Sequence, residues 1–239
     1  GTMPAQCPAG RPSRRGPIPV PENALTPPPR DLLRGVLATF RAERAVTTRF
    51  ALHANWALHS RGVEGVLIRM CTGAPYWLTV QGEAPVSIAP RDIVLLPHGG
   101  AHDIASSPTL VPRPIAGLIQ AHTTGAHGDH PIVFTHGEGG PATHLYALHL
   151  WMPGRGRGSR PATPKGARAA GAGAGGSSIP AMLRALPALV VLRAKTTPSA
   201  GSLALAMEAL VDETIAQQPG WKLSAARMAD LLLVQILRA

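Results

Sequence analysis

The chain has 239 residues, with 26 Gly, 25 Pro, 4% aromatic and 45% hydrophobic residues, which suits one sizeable core carrying tails. Its formal charge of +10 invites a nucleic-acid reading, but residues 1–30 hold +3 of it and residues 151–178 hold +5. Residues 31–150 sum to zero, so the part that should fold has no phosphate-binding face.

Gly1 and Thr2, ahead of Met3, resemble a tag remnant, and residues 1–30 read as a disordered Pro- and Arg-rich tail ending in Pro27-Pro28-Pro29. Asp31 then suits an N-cap. Leu32, Leu33, Val36, Leu37 and Phe40 recur at helical spacing, which predicts a helix over 31–42. From residue 46 the signal changes to short extended runs at 46–52, 63–70, 76–80, 86–88, 93–96, 114–119 and 143–151. Gly82, Pro90, Gly99-Gly100, Pro108, Pro112 and the glycines of 137–140 punctuate them. Strands of this length and spacing predict an antiparallel sandwich or barrel, so 31–152 is expected to be one β domain with a leading helix.

Residues 153–178 are Gly/Ala/Arg-rich and read as a flexible insertion. Two helices should fill 179–239. The first is capped by Ser199, carries Leu203, Met207, Leu210, Val211 and Ile215 on one face, and ends at Pro219-Gly220. The second starts near Leu223 and closes in a run, 231–237, that is apolar nearly all round. Such a helix must be covered on two sides. A homodimer through Leu231, Leu233, Val234 and Leu237 would cover the second.

Residues 91–102, RDIVLLPHGGAH, place Pro97, Gly99 and His102 in a P-x-G-x-x-H pattern after a strand. Pro and Gly would force the turn, and His102 would then enter from the next strand. This resembles the second cupin motif, with Arg91 for its first Gly and Ser106 for its final Asn. RFALHANWALHS (49–60), the segment from Pro75 to His102, Gly139-Gly140-Pro141 and the closing ADLLLVQILRA follow in the order found in the cupin domain of AraC-type transcriptional regulators. The resemblance implies an antiparallel, jelly-roll-like cupin barrel followed by a two-helix dimerisation unit. It further implies a small-molecule effector inside the barrel and promoter DNA bound through helix-turn-helix motifs, which would begin where this sequence stops.

The first cupin motif, H-x-H-x3–4-E, should fall near 61–68, where Glu64 stands without a histidine pair. A catalytic metal needs about three protein ligands, so the expectation is a binding module, with neither enzymatic activity nor cofactor. Ligand candidates are His102, then Arg69 and Cys71, which alternate on one strand face with Leu67, and His59 just before that strand. Trp56 and Trp77 are more ordinary as core. A metal-dependent cupin using His98, His102 and His144 is the alternative, and a redox sensor through Cys71 a further one. His122, His127, His130 and His136 read as one histidine-rich loop. Two isolated cysteines, Cys7 and Cys71, and no apolar run near membrane length suggest a cytoplasmic protein without a membrane partner.

Overall fold

A computed structural model describes residues 44–122, 130–151 and 181–239, besides Gly1. The expected tail, leading helix and insertion lie outside the described residues, as does His127. In chain order the strands are β1 (Arg44–His53), β2 (Ala57–Ser60), β3 (Val66–Gly73), β4 (Tyr76–Val80), β5 (Val86–Ile88), β6 (Ile93–Leu96), β7 (His102–Ala105), β8 (Arg113–Pro114), β9 (Ile132–His136), β10 (Ala142–Trp151) and β11 (Val190–Leu192). The helices are α1 (Ile115–His122), α2 (Ala181–Arg184), α3 (Ala200–Ala216) and α4 (Trp221–Arg238).

Six strands form one sheet in the order β11-β6-β3-β10-β1-β9, and five form the other in the order β5-β4-β7-β2-β8. The larger sheet is the middle layer, which the alternation of its side chains makes plain. Val66, Ile68 and Met70 of β3 pack with Leu203, Met207, Leu210, Leu232 and Leu233 of α3 and α4. Leu67 and Cys71, at the alternate positions of the strand, pack the opposite way, with Leu58, Tyr76, Leu78 and Ile104 of the smaller sheet. A strand buried on both faces reads as a continuous apolar run, as VLIRMC does, with Arg69 the exception.

Several expectations are corrected. The sheets are mixed, because β9 joins β1 and β8 joins β2 in parallel. No ladder among the described residues joins the two sheets, so they face each other as a sandwich without closing into a barrel. The segment expected as a strand over 114–119 is α1: Ile115, Leu118 and Ile119 sit at i, i+3 and i+4 and pack one helical face against the inter-sheet core. His122 ends α1 and His136 ends β9, so the histidines do not share one loop. Ser199 makes no side-chain cap; the first turn of α3 closes instead through Ala200 N–H donating to Thr197 O at 3.0 Å.

Asp92 locks one corner of the large sheet. Its carboxylate accepts hydrogen bonds from Ala89 N, Ala194 N and the Arg193 guanidinium at 3.0, 2.8 and 2.9 Å, with its side chain almost fully buried. Removing it strands two amides at once and takes the carboxylate partner from Arg193, which keeps Ser87 O at 2.6 Å. Asp92→Ala should therefore cost about 3 kcal/mol. Urea unfolding checks this, and a loss below about 1 kcal/mol would show that water replaces the carboxylate.

Candidate functional site

Between the two sheets, near the edge closed by β8 and α1, lies a cavity of about 590 Å³. Three neighbouring strands form its floor. Val46, Thr48 and Phe50 come from β1, Ala147 and His149 from β10, and Leu67 and Arg69 from β3. Val63, Ile115, Ile119 and Ile132 add apolar wall, and His59, Ser60 and Arg61 add to the polar part of the lining. The volume is that of an ordinary small-molecule site.

The turn beside it is built by glycine. Gly99 has φ +57°, and any Cβ there would collide with Val63 O. Val63 N–H in turn donates to Gly99 O at 2.7 Å, which clamps the β2–β3 connection to the turn before β7. A Cβ at Gly62, where φ is +92°, would collide with that Gly99 carbonyl. The P-x-G-x-x-H residues thus fasten the loop that carries Arg61 and Val63.

Arg69 is 6% exposed and its Nη1 has no hydrogen-bond partner. Burial lowers its pKa, and Tyr76 opposes this only partly. The Tyr76 hydroxyl is itself held protonated by burial and also lacks a partner, so it brings no negative charge. A guanidinium is therefore desolvated at the wall of a cavity with no counter-ion among the described residues. Thr48 Oγ1, in the same cavity, is likewise buried and unpartnered.

The other sequence candidates divide. His59 lines the cavity, with Nδ1 2.7 Å from Asp103 Oδ1. His102 lines a second cleft, of about 520 Å³, that shares His59 and Arg61 with the first. Its Nδ1–H donates to Gly100 O at 2.8 Å, because a carbonyl can only accept, and this leaves a buried, unpartnered lone pair on Nε2. Burial first, then the charge of Arg69, push its pKa down to about 3. Cys71 lines neither space. It is buried in the inter-sheet core, its thiol donates to Ala89 O at 3.6 Å, and burial followed by the charge of Asp92 raise its pKa to about 12. Burial thus disfavours the reactive thiolate that a redox sensor needs.

His98, His102 and His144 are not gathered: among the described residues no three His, Cys, Asp or Glu side chains form a metal-binding group. His98 Nε2–H instead donates to Leu183 O at 3.1 Å and holds α2. Trp56 belongs to the core, tilted against Tyr76. Sequence reasoning missed Thr48, Ala147 and His149 as cavity residues. The signal was present in the two-residue period of β1 and β10, which puts them on the face of Phe50 and Leu145.

A family model described as Cupin matches residues 31–239. The chain belongs to the cupin family. No curated protein matches this cupin. Among solved structures, ToxT from Vibrio cholerae strain SCE256 with an unsaturated fatty acid bound is similar over 46% of this chain, at 9% identity and a TM-score of 0.28. A second ToxT structure from Vibrio cholerae is similar over 45%, at 7% identity and a TM-score of 0.25. The cupin spans 31% and 30% of the length of those two chains.

Proposed function

We propose that this cupin is the effector-sensing and dimerisation part of an AraC-type transcriptional regulator, which binds a small molecule between its sheets and does not transform it. One observation carries the reading: a mostly apolar cavity of ligand size holds a buried guanidinium whose Nη1 has no partner among the described residues. A stranded polar group in an apolar wall costs free energy that a bound partner would recover. No cofactor enters the reading, and promoter DNA is contacted by the helix-turn-helix part that the sequence resemblance implies.

Alternation in β1 supplies a route from cavity to helices. Val46, Thr48 and Phe50 face the cavity. Thr47 between them shares a hydroxyl hydrogen bond with Thr214 of α3, and Arg49 pairs with Asp212 of α3 at 3.1 Å. A ligand that moves β1 therefore pulls on α3, which packs along α4. The outer sides of these helices carry Leu205, Leu223 and Leu231 exposed, a surface for a second copy. Sensing then amounts to different ligand affinity in two docking arrangements. A regulator of this kind works in the cytoplasm, and no helix among the described residues is long and apolar enough to cross a membrane.

Thermal unfolding of the full chain against a metabolite library tests the reading. A cavity ligand at saturating concentration should raise the midpoint by about 5 °C. Ala147→Leu, which fills the cavity floor, should abolish the shift. A library in which nothing moves the midpoint, or a shift that survives Ala147→Leu, would overturn the proposal.

A further inference from the structure

The cavity floor has an order that its outline does not show. In the pairing of β1 with β10, Thr48 stands opposite Ala147. In the pairing of β10 with β3, Ala147 stands opposite Arg69. The three residues thus form one transverse row, and all three line the cavity. Neighbouring strands lie about 4.8 Å apart, which puts Thr48 and Arg69 roughly 10 Å apart at their Cα atoms. The smallest side chain of the three sits between them, so the row is a saddle: a methyl floor with an unpartnered donor on either side.

We propose that this saddle seats the carboxylate of an apolar monocarboxylic acid, held over Ala147 between the Arg69 guanidinium and the Thr48 hydroxyl, while the acid's apolar body fills the rest of the cavity. The inference rests on the effector-site reading above and names the chemical class that the site takes.

The choice of anion follows from charge. Arg69 is buried, and among the described residues neither a carboxylate nor an ionised hydroxyl neutralises it; Tyr76 stays protonated. The positive field is felt beyond the cavity, because Arg69 lowers the pKa of His102. A monoanion cancels that charge once, and its oxygens accept from both donors of the saddle. A phosphate would bring a second negative charge into the apolar surround, with the exposed Arg61 at the rim as the remaining cation of the lining.

The choice of a single polar head follows from the walls. His149 Nε2–H is spent on Glu64 O at 2.7 Å, His59 Nδ1 is paired with Asp103, and the Ser60 hydroxyl already accepts from Gly62 N–H at 3.2 Å. Val46, Phe50, Val63, Leu67, Ile115 and Ile119 offer no hydrogen bonds. A polyhydroxyl ligand would bury hydroxyls without partners along that length, at a cost for each one. An apolar body gains there instead.

Isothermal titration of the full chain with decanoate and 2-naphthoate, with their primary amides, and with glucose tests the assignment. The acids should bind at least about tenfold more tightly than their amides, the difference a charge-assisted pair supplies over a neutral one. Arg69→Met, close to an isosteric removal of the charge, should erase that ratio while circular dichroism shows the fold intact. Thr48→Val should weaken the acids about fivefold, and Ala147→Leu should block acids and amides alike. Equal binding of acid and amide, or an acid preference that survives Arg69→Met, overturns the saddle. Glucose binding better than every acid, or no binding of any acid, also overturns it. In either case a hit in the metabolite screen that Ala147→Leu removes leaves the sensing reading standing.

Discussion

Leu233→Lys should yield no folded domain, whereas Leu231→Lys, two residues earlier on the same helix, should fold like the parent. The contrast comes from where α4 turns its apolar run. Leu233 is 0% exposed and packs among Val66, Ile68, Leu148 and the α3 leucines, while Leu231 is 63% exposed. Truncating a buried leucine alone costs about 2–5 kcal/mol, and an unpaired ammonium in its place adds several more. The total rivals the 5–15 kcal/mol by which domains of this kind are stable. The structure therefore corrects the expectation that Leu233 faces a partner: its covering is the chain's own sheet and neighbouring helix. Leu231 stays available to a second copy, with Val234 and Leu237 half-buried beside it. Circular dichroism and sedimentation of both variants check this. A folded Leu233→Lys protein would refute the packing, and a Leu231→Lys protein that self-associates as strongly as the parent would move any dimer contact elsewhere.

The second large effect is on acid stability. The folded domain holds the pKa of His102 at about 3, by burial first and the charge of Arg69 second, with the hydrogen bond to Gly100 opposing them. In the unfolded chain the ring returns to its ordinary value of 6.5. Below that pH the unfolded state takes up a proton that the folded state refuses, so the contribution is complete above pH 6.5. It is lost as pH falls toward about 3. The slope due to this one group is about 1.4 kcal/mol per pH unit. His102→Leu should remove it. Unfolding free energies at pH 7, 6, 5 and 4 should show the parent losing ground to the variant at each step, because carboxylates titrating in the same range cancel in the difference. Parallel curves, or an imidazole that titrates by NMR above pH 5 in the folded protein, would contradict the burial.

The β class, the two closing helices and six of the strands could be read from the order of short apolar runs and turn residues. The strand ends were placed to within three residues at 46–52, 63–70, 76–80, 86–88, 93–96 and 143–151. They were legible because most of the runs lie next to a Gly, Pro or charged residue, which is local information. Alternation on β3 also put Arg69 on the face of Leu67 and Cys71, and the structure keeps Leu67 and Arg69 together at the cavity.

What the sequence could not decide were matters of partner. The segment over 114–119 has an apolar pattern short enough for strand or helix, and only its docking against the inter-sheet core selects α1. The edge strands β8 and β9 add in parallel, a choice made by where the chain returns and not by its own residues. Cys71 shares a strand face with Arg69, yet two residues along β3 separate a solid core from a cavity, because the smaller sheet covers one and α1 only borders the other. Thr48, Ala147 and Arg69 are far apart in the chain, and nothing in the sequence of β1 or β10 marks Thr48 or Ala147 as partners of Arg69. Their row exists through the register of three strands, a long-range property that local propensity does not encode.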